Sequence, residues 1–268
     1  VGLLTAIAWF PYFNNRTKNE STWIIMTSPA AVRSYVDSRI PGALSTYSFS
    51  LLELKTLASG IESIDLKIGG IPKSGLTQIC ACQEISSGKT TLLLSLMAGV
   101  TRKEEFCALV DASDCFNPGL AEAAGVDMSR LLWVRCESGR GMRSLEQAFK
   151  AADILVQNGG FGLIAVDLGN IEEKLIRKVP LSSWFRFARV VEKMPAALVF
   201  LLGHPAAQSC AALTLHLSGV NSCWQGSEKV SHAHFLAGLE CEIEIGRGRL
   251  RKPVQSVPGR FAATSVWA

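Results

Sequence analysis

Apolar and polar positions change period repeatedly along the chain. Leu76 to Cys82, Phe106 to Val110, Leu131 to Arg135, Phe161 to Asp167 and Ala197 to Leu202 are short runs dominated by apolar residues. Such runs of five to seven residues, bounded by turn formers, predict buried strands. Between them the spacing becomes helical. Leu92 to Val100 is apolar nearly throughout. Leu145 to Gln157 places Ala148, Ala151, Ala152 and Leu155 on one side, and Ser182 to Lys193 does the same with Trp184, Phe187, Ala188 and Val191. Pro118 to Ala124 predicts a shorter helix opened by proline. Strands alternating with helices predict an α/β fold, with a mainly parallel central sheet covered by helices on both faces. Ala211 to Leu217 and Leu239 to Ile245 predict further strands, antiparallel ones, near the C-terminal end.

The flanks read differently. Residues 1–25 are an N-terminal extension, apolar then polar, ahead of a natural-looking start at Met26; an amphipathic docking segment is the alternative. The apolar run at 1–13 has no basic start and is too short to span a bilayer. Residues 26–55 predict a helix, with Val32, Tyr35, Val36 and Ile40 at helical spacing before Pro41-Gly42, followed by a linker. Leu57 to Gly75 predicts a short helix and a glycine turn into the first core strand. The core is expected at 56–250, with a flexible basic tail at 251–268 whose Phe261 and Trp267 suit a docking motif.

Composition narrows the class a little. At 268 residues, 48% hydrophobic and 19% charged, the chain can fill a sizeable core. A net charge of +4 is compatible with nucleic acid without pointing to it. The eight cysteines form no paired C-x2-C units, which points away from structural zinc, and several sit in apolar strands. They read as small buried hydrophobes of a protein in the reducing cytoplasm.

The candidate chemistry lies at Ser86-Ser87-Gly88-Lys89-Thr90-Thr91, between the first long strand and an apolar helix. A Gly-Lys-Thr there has the context of a phosphate-binding loop. Free N–H groups and the positive dipole end of the helix attract anions. Lys89 can reach terminal phosphates, and the Thr90 hydroxyl can ligate Mg2+. The usual first glycine of the loop is Gln83 here, five residues before Gly88. Asp167 ends an apolar strand, where ligands meet an α/β sheet, although a turn or cap residue would look the same.

The order of these stretches resembles the bacterial recombinase family RecA over about residues 57–202. Ser59-Gly60-Ile61-Glu62-Ser63-Ile64-Asp65, Gly69-Gly70-Ile71-Pro72, the Gly-Lys-Thr turn, Ala108 to Ala112, Asn117-Pro118, Gly125-Val126-Asp127 and Ile164 to Asp167 carry the likeness. It resembles most the short ImuA-type RecA-like proteins of SOS mutagenesis. The resemblance implies a P-loop NTPase fold with ATP and Mg2+ as cofactors. It implies nucleotide contacts from Glu84, Ser86, Ser87, Gly88, Lys89, Thr90, Thr91, Asp111 and Asn117, and metal contacts from Thr90 and Asp167. Single-stranded DNA, RecA or a translesion polymerase complex are the implied partners, with no membrane role.

Departures from that pattern lower the expected activity. The family's catalytic glutamate falls at Ser113, a loss of roughly 10²–10⁴ in rate; Asp114 is the candidate replacement. Leu120 stands where the family stacks an aromatic on adenine, and Gly203, beside His204, replaces a phosphate-sensing glutamine. Two basic groups remain, Lys174, Arg177 and Lys178 with Arg186 and Arg189, and Arg247, Arg249, Arg251, Lys252 and Arg260. They suit phosphate contacts or a solvated face equally well.

Overall fold

The computed structural model describes residues 55–81, 86–136, 141–224, 236–248 and 259–264, all within one compact unit, Leu54–Ala268. The helix expected at 29–40, Glu84 and Gln83 lie outside the described residues.

In chain order the elements are β1 (Thr56–Leu57), α1 (Glu62–Ile68), β2 (Ile71–Pro72), β3 (Gly75–Cys80), α2 (Lys89–Thr101), β4 (Phe106–Asp111) and α3 (Pro118–Ala123). There follow β5 (Leu131–Arg135), α4 (Met142–Asn158), β6 (Phe161–Asp167), α5 (Glu173–Ile176), α6 (Leu181–Val191) and β7 (Ala197–Leu202). Three long-range strands complete the sheet, β8 (Leu213–Trp224), β9 (Leu236–Gly248) and β10 (Gly259–Thr264). The sheet has eight strands in the order β10-β9-β8-β3-β7-β6-β4-β5. From β8 to β5 all neighbours run parallel, while β9 and β10 are antiparallel additions.

The α/β class, the mainly parallel sheet and the antiparallel pairing near the C-terminal end are as expected, with two details corrected. β8 was expected to be antiparallel, yet it runs parallel to β3, pairing Thr77 with Leu213 and Cys80 with His216, and is antiparallel only to β9. Direction is set by the crossover from β7, which the period-2 pattern does not encode. Gly259–Thr264, expected within a flexible tail, is a paired edge strand, and Phe261 is buried rather than offered for docking.

The core divides by strand parity. Ile79, Leu109, Ala165, Val199 and Leu215 face α2, whose Leu92, Leu93, Leu96 and Met97 are all buried. Cys80, Val110, Val166 and Phe200 face α4 and α6. There Trp184 and Phe200 meet with ring centroids 5.0 Å apart, and Phe149 packs edge-on to Trp184 at 5.3 Å. Each such aromatic pair contributes roughly 0.5–1.5 kcal/mol beyond area burial. Both strands of the middle, β3 and β7, are buried at every position, so the ends of β3, β4 and β6 are held rigidly on one edge of the core.

One buried polar residue, not singled out from sequence, fixes a loop at this end. The Gln78 side chain donates to Thr214 Oγ1 at 3.1 Å and accepts from the N–H groups of Ala206 and Ala207 at 2.8 and 2.7 Å. The segment after β7 is thereby tied to the sheet, with the Thr214 and Ala207 bonds buried and the Ala206 bond partly so.

Candidate phosphate site

The site begins with a helix that has no side-chain cap. Gly88, at φ +74°, is the N-cap of α2 and has no side chain with which to cap the first turn. The leading N–H groups of an α-helix lack intrahelical partners. In α3 the Asn117 Oδ1 takes up one of them, from Leu120 at 3.1 Å. α2, a 13-residue helix, has no such cap, and its first two residues line a cleft, so the positive dipole end lies beside it.

Lys89 and Thr90, the first two residues of α2, line a cleft of about 130 Å³ together with Asn117, Asp167, Gly169 and Asn170. Leu93, Leu94, Leu109, Cys115, Phe116 and Leu120 supply its apolar and thiol walls. Residues from the ends of β4 and β6 thus converge on the α2 N-terminus, as the parallel sheet requires.

Asp167 is the acidic wall. Its Oδ1 accepts from the Gly169 N–H at 2.8 Å. Burial pushes its carboxyl above the usual carboxylate range; the Gly169 N–H and the Lys89 charge oppose the rise, and the Asp111 charge adds to it. Burial thus outweighs the neighbouring ammonium group in disfavouring the ionised carboxylate. Gly169 keeps the approach open, since a Cβ there would lie 2.5 Å from Lys89 Nζ and 3.1 Å from Asp167 Oδ1.

This donor set suits Mg2+ brought by a polyphosphate. A threonine hydroxyl and one carboxylate are hard oxygen donors, and Mg2+ usually keeps waters and phosphate oxygens for its other positions. Among the described residues no group of three or more His, Cys, Asp or Glu could hold a metal ion by itself.

Several expected residues play other parts. Asp111 is buried, and its carboxylate accepts from the N–H groups of Ser113, Cys115 and Phe116 at 3.2, 3.2 and 2.9 Å. It shapes the loop that carries Cys115 to Asn117 to the cleft. Asp114, the candidate base, makes a two-pronged pair with Arg135 at 2.7 Å and does not line the cleft. That pair holds its carboxyl below the usual range. A carboxylate so engaged is a weaker proton acceptor than a free one. The Ser113 Oγ is buried without a hydrogen-bond partner. Ser86 is exposed, Ser87 buried and Thr91 half-buried, and none of the three lines the cleft. Cys115, Phe116, Gly169 and Asn170 were not anticipated; the two-residue step from Asp167 to Gly169 was the available signal.

The comparisons place this geometry in context. Residues 44–171 match the RecA N-terminal domain. The match takes in the uncapped helix, Lys89, Thr90, Asp167 and the loop organised by Asp111. The chain is 37% identical over 120 residues to Protein RecA of Rhizobium rhizogenes and 36% identical over 119 residues to those of Brucella canis and Brucella suis. Each alignment covers 44% of this chain, and the chain spans about 31% of the length of these curated relatives.

A second cleft, of about 720 Å³, lies beyond Asp167 and is lined by Glu173, Arg177, Lys178 and His204 among others. The basic group expected there is partly neutralised. Arg177 pairs with Glu173, His204 Nδ1 lies 3.3 Å from the same carboxylate, and Arg186 pairs with Asp153 at 3.3 Å. The side chains of Arg247, Arg249, Arg251 and Lys252 lie outside the described residues. Among the described residues no helix is long and apolar enough to cross a membrane.

Proposed function

We propose that the chain is an ATP-binding protein of the RecA type, acting in DNA repair, recombination or damage-induced mutagenesis with weak hydrolysis. The observation that supports it most is the meeting of Lys89, Thr90 and Asp167 at the uncapped start of α2. In this reading the first-turn N–H groups and Lys89 hold the phosphates, while Thr90 and Asp167 hold Mg2+. The metal, when bound, would neutralise phosphate charge and polarise the terminal phosphoryl group. Asn117 and Leu120 would border the nucleoside. The sequence pattern also resembles the short ImuA-type proteins, and single-stranded DNA, RecA or a translesion polymerase complex are the partners that follow from that resemblance. Lys178, which lines the second cleft beside the Glu173-paired Arg177, is a described cation that a phosphate backbone entering that cleft would meet.

Cys115 gives a direct test. It is exposed and lines the cleft, whereas Cys223, also exposed, does not. Mg·ATP is expected to slow labelling of Cys115 by a thiol reagent several-fold and leave Cys223 unchanged. Equal protection of both, or of neither, contradicts the reading.

A second reading, a RecA-fold scaffold with no nucleotide requirement, is favoured by the lack of a water-activating carboxylate at Ser113 and the engagement of Asp114. Ser113→Glu separates the two. A glutamate there is expected to raise ATP hydrolysis by roughly 10²-fold if bound ATP lacks only its general base. No rise, with ATP also failing to protect Cys115, supports the scaffold.

A further inference from the structure

Gly88 is pressed from the far edge of the sheet. A Cβ on it would lie 2.6 Å from Cys241 Sγ, 2.6 Å from Phe261 Cζ and 3.1 Å from Phe261 Cε2. Cys241 is on β9 and Phe261 on β10, and the two are direct cross-strand partners. One ladder rung, more than 150 residues away in sequence, therefore bears on the glycine that opens α2. Cys241 is wholly buried and Phe261 is 6% exposed, both in the core layer under α2. Burial also pushes the Cys241 thiol up, so it serves as a neutral packing group.

The strand that brings the ring is the outermost one. Among the described residues β10 has a single hydrogen-bonded neighbour, β9. It also packs against α1, and α1 is tied to β9 because Lys67 Nζ donates to the Ile243 carbonyl. A six-residue edge strand held on one side is among the elements that open locally at low free energy.

We propose that the Phe261–Cys241 pair positions the phosphate turn, so that docking of β10 on the sheet edge and triphosphate binding at Gly88 to Thr90 are thermodynamically coupled. The proposal rests on the nucleotide reading of the site. With the ring in place, Gly88 has no space to relax away from the cleft, and the first-turn N–H groups stay aimed at one point. With the ring gone, the turn gains room, and part of the binding free energy goes into ordering it. Linkage makes the effect reciprocal: a bound triphosphate holds β10 on the sheet by the same factor. The sheet edge is then an input through which anything that grips or displaces β10 resets nucleotide affinity.

Hydrogen exchange on the full chain, with and without Mg·ATP, tests this alongside direct titration. Saturating Mg·ATP is expected to slow exchange across residues 259–264 by about tenfold, within the usual range of coupling. Phe261→Ala is expected to weaken Mg·ATP binding by the same factor, and Phe261→Leu, which keeps most of the volume, to stay within about threefold of the wild type. If Phe261→Ala does not fold, the wild-type exchange decides. Saturable binding with unchanged exchange at 259–264 overturns the coupling and leaves the nucleotide site standing. No saturable binding by the wild type removes both.

Discussion

Gly88→Ala is expected to damage both stability and phosphate binding, and by more than any other single methyl group added to the turn. Two effects combine. At φ +74° the backbone is in the left-handed region, where an L side chain is disfavoured by roughly 1–2 kcal/mol. The new Cβ also meets Cys241 Sγ and Phe261 Cζ at 2.6 Å, and neither can swing away because both are buried among core residues. Overpacking of that kind typically adds about 1–3 kcal/mol. Together they come to roughly 2–5 kcal/mol, which for a domain of this size lowers Tm by about 5–15 °C. A thermal melt of the nucleotide-free protein checks the first part. Titration with Mg·ATP below the lowered Tm checks the second, with binding expected to be lost. A variant that melts and binds like the wild type would mean the turn does not make the close approach described.

Lys89→Ala is expected to leave the fold intact and remove most of the affinity for a triphosphate. Lys89 is half-buried at the start of α2 and faces the cleft, so its loss deletes a charge rather than core packing. Truncating one partner of a close charge pair costs about 2–5 kcal/mol, or roughly 30-fold and upward in Kd. A second consequence follows in the free protein. The Lys89 charge is one of the influences that draw the Asp167 carboxyl down against burial. Without it that carboxyl moves further above its ordinary range, and a larger share is protonated at a given pH. The remaining triphosphate affinity of the variant should then rise as pH increases through that range, because the charged form is the one that holds Mg2+. Titrations at several pH values separate the two contributions.

Much of this was legible in the chain, for identifiable reasons. The strands ending in Asp111 and Asp167 are apolar runs of six and seven residues, long enough to mark buried parallel strands. The helix after Gly88 is apolar over most of its surface because most of α2 is buried, with Thr91, Ser95 and Gly99 left as a half-buried stripe. What escaped reading depended on partners distant in sequence. Gly-Arg-Phe-Ala-Ala-Thr at 259–264 has one large apolar residue and little alternation, so its place on the sheet comes from β9 rather than from its own pattern. Asp114 looked available until folding set Arg135 opposite it on the neighbouring strand end. The part Asp111 plays in shaping its own loop, through three backbone N–H groups that bond its carboxylate, was likewise not visible in the pattern. Local pattern records which residues are buried; it does not record which polar groups find each other across the sheet.

The cleft at the start of α2 is expected to receive a magnesium-bearing triphosphate. Calorimetric titration of the full chain with ATP, in the presence and absence of Mg2+, measures it most directly. The account expects one saturable site per chain, weakened when Mg2+ is withheld and nearly abolished in Lys89→Ala. Titrations without saturation, or identical for the wild type and Lys89→Ala, would contradict it.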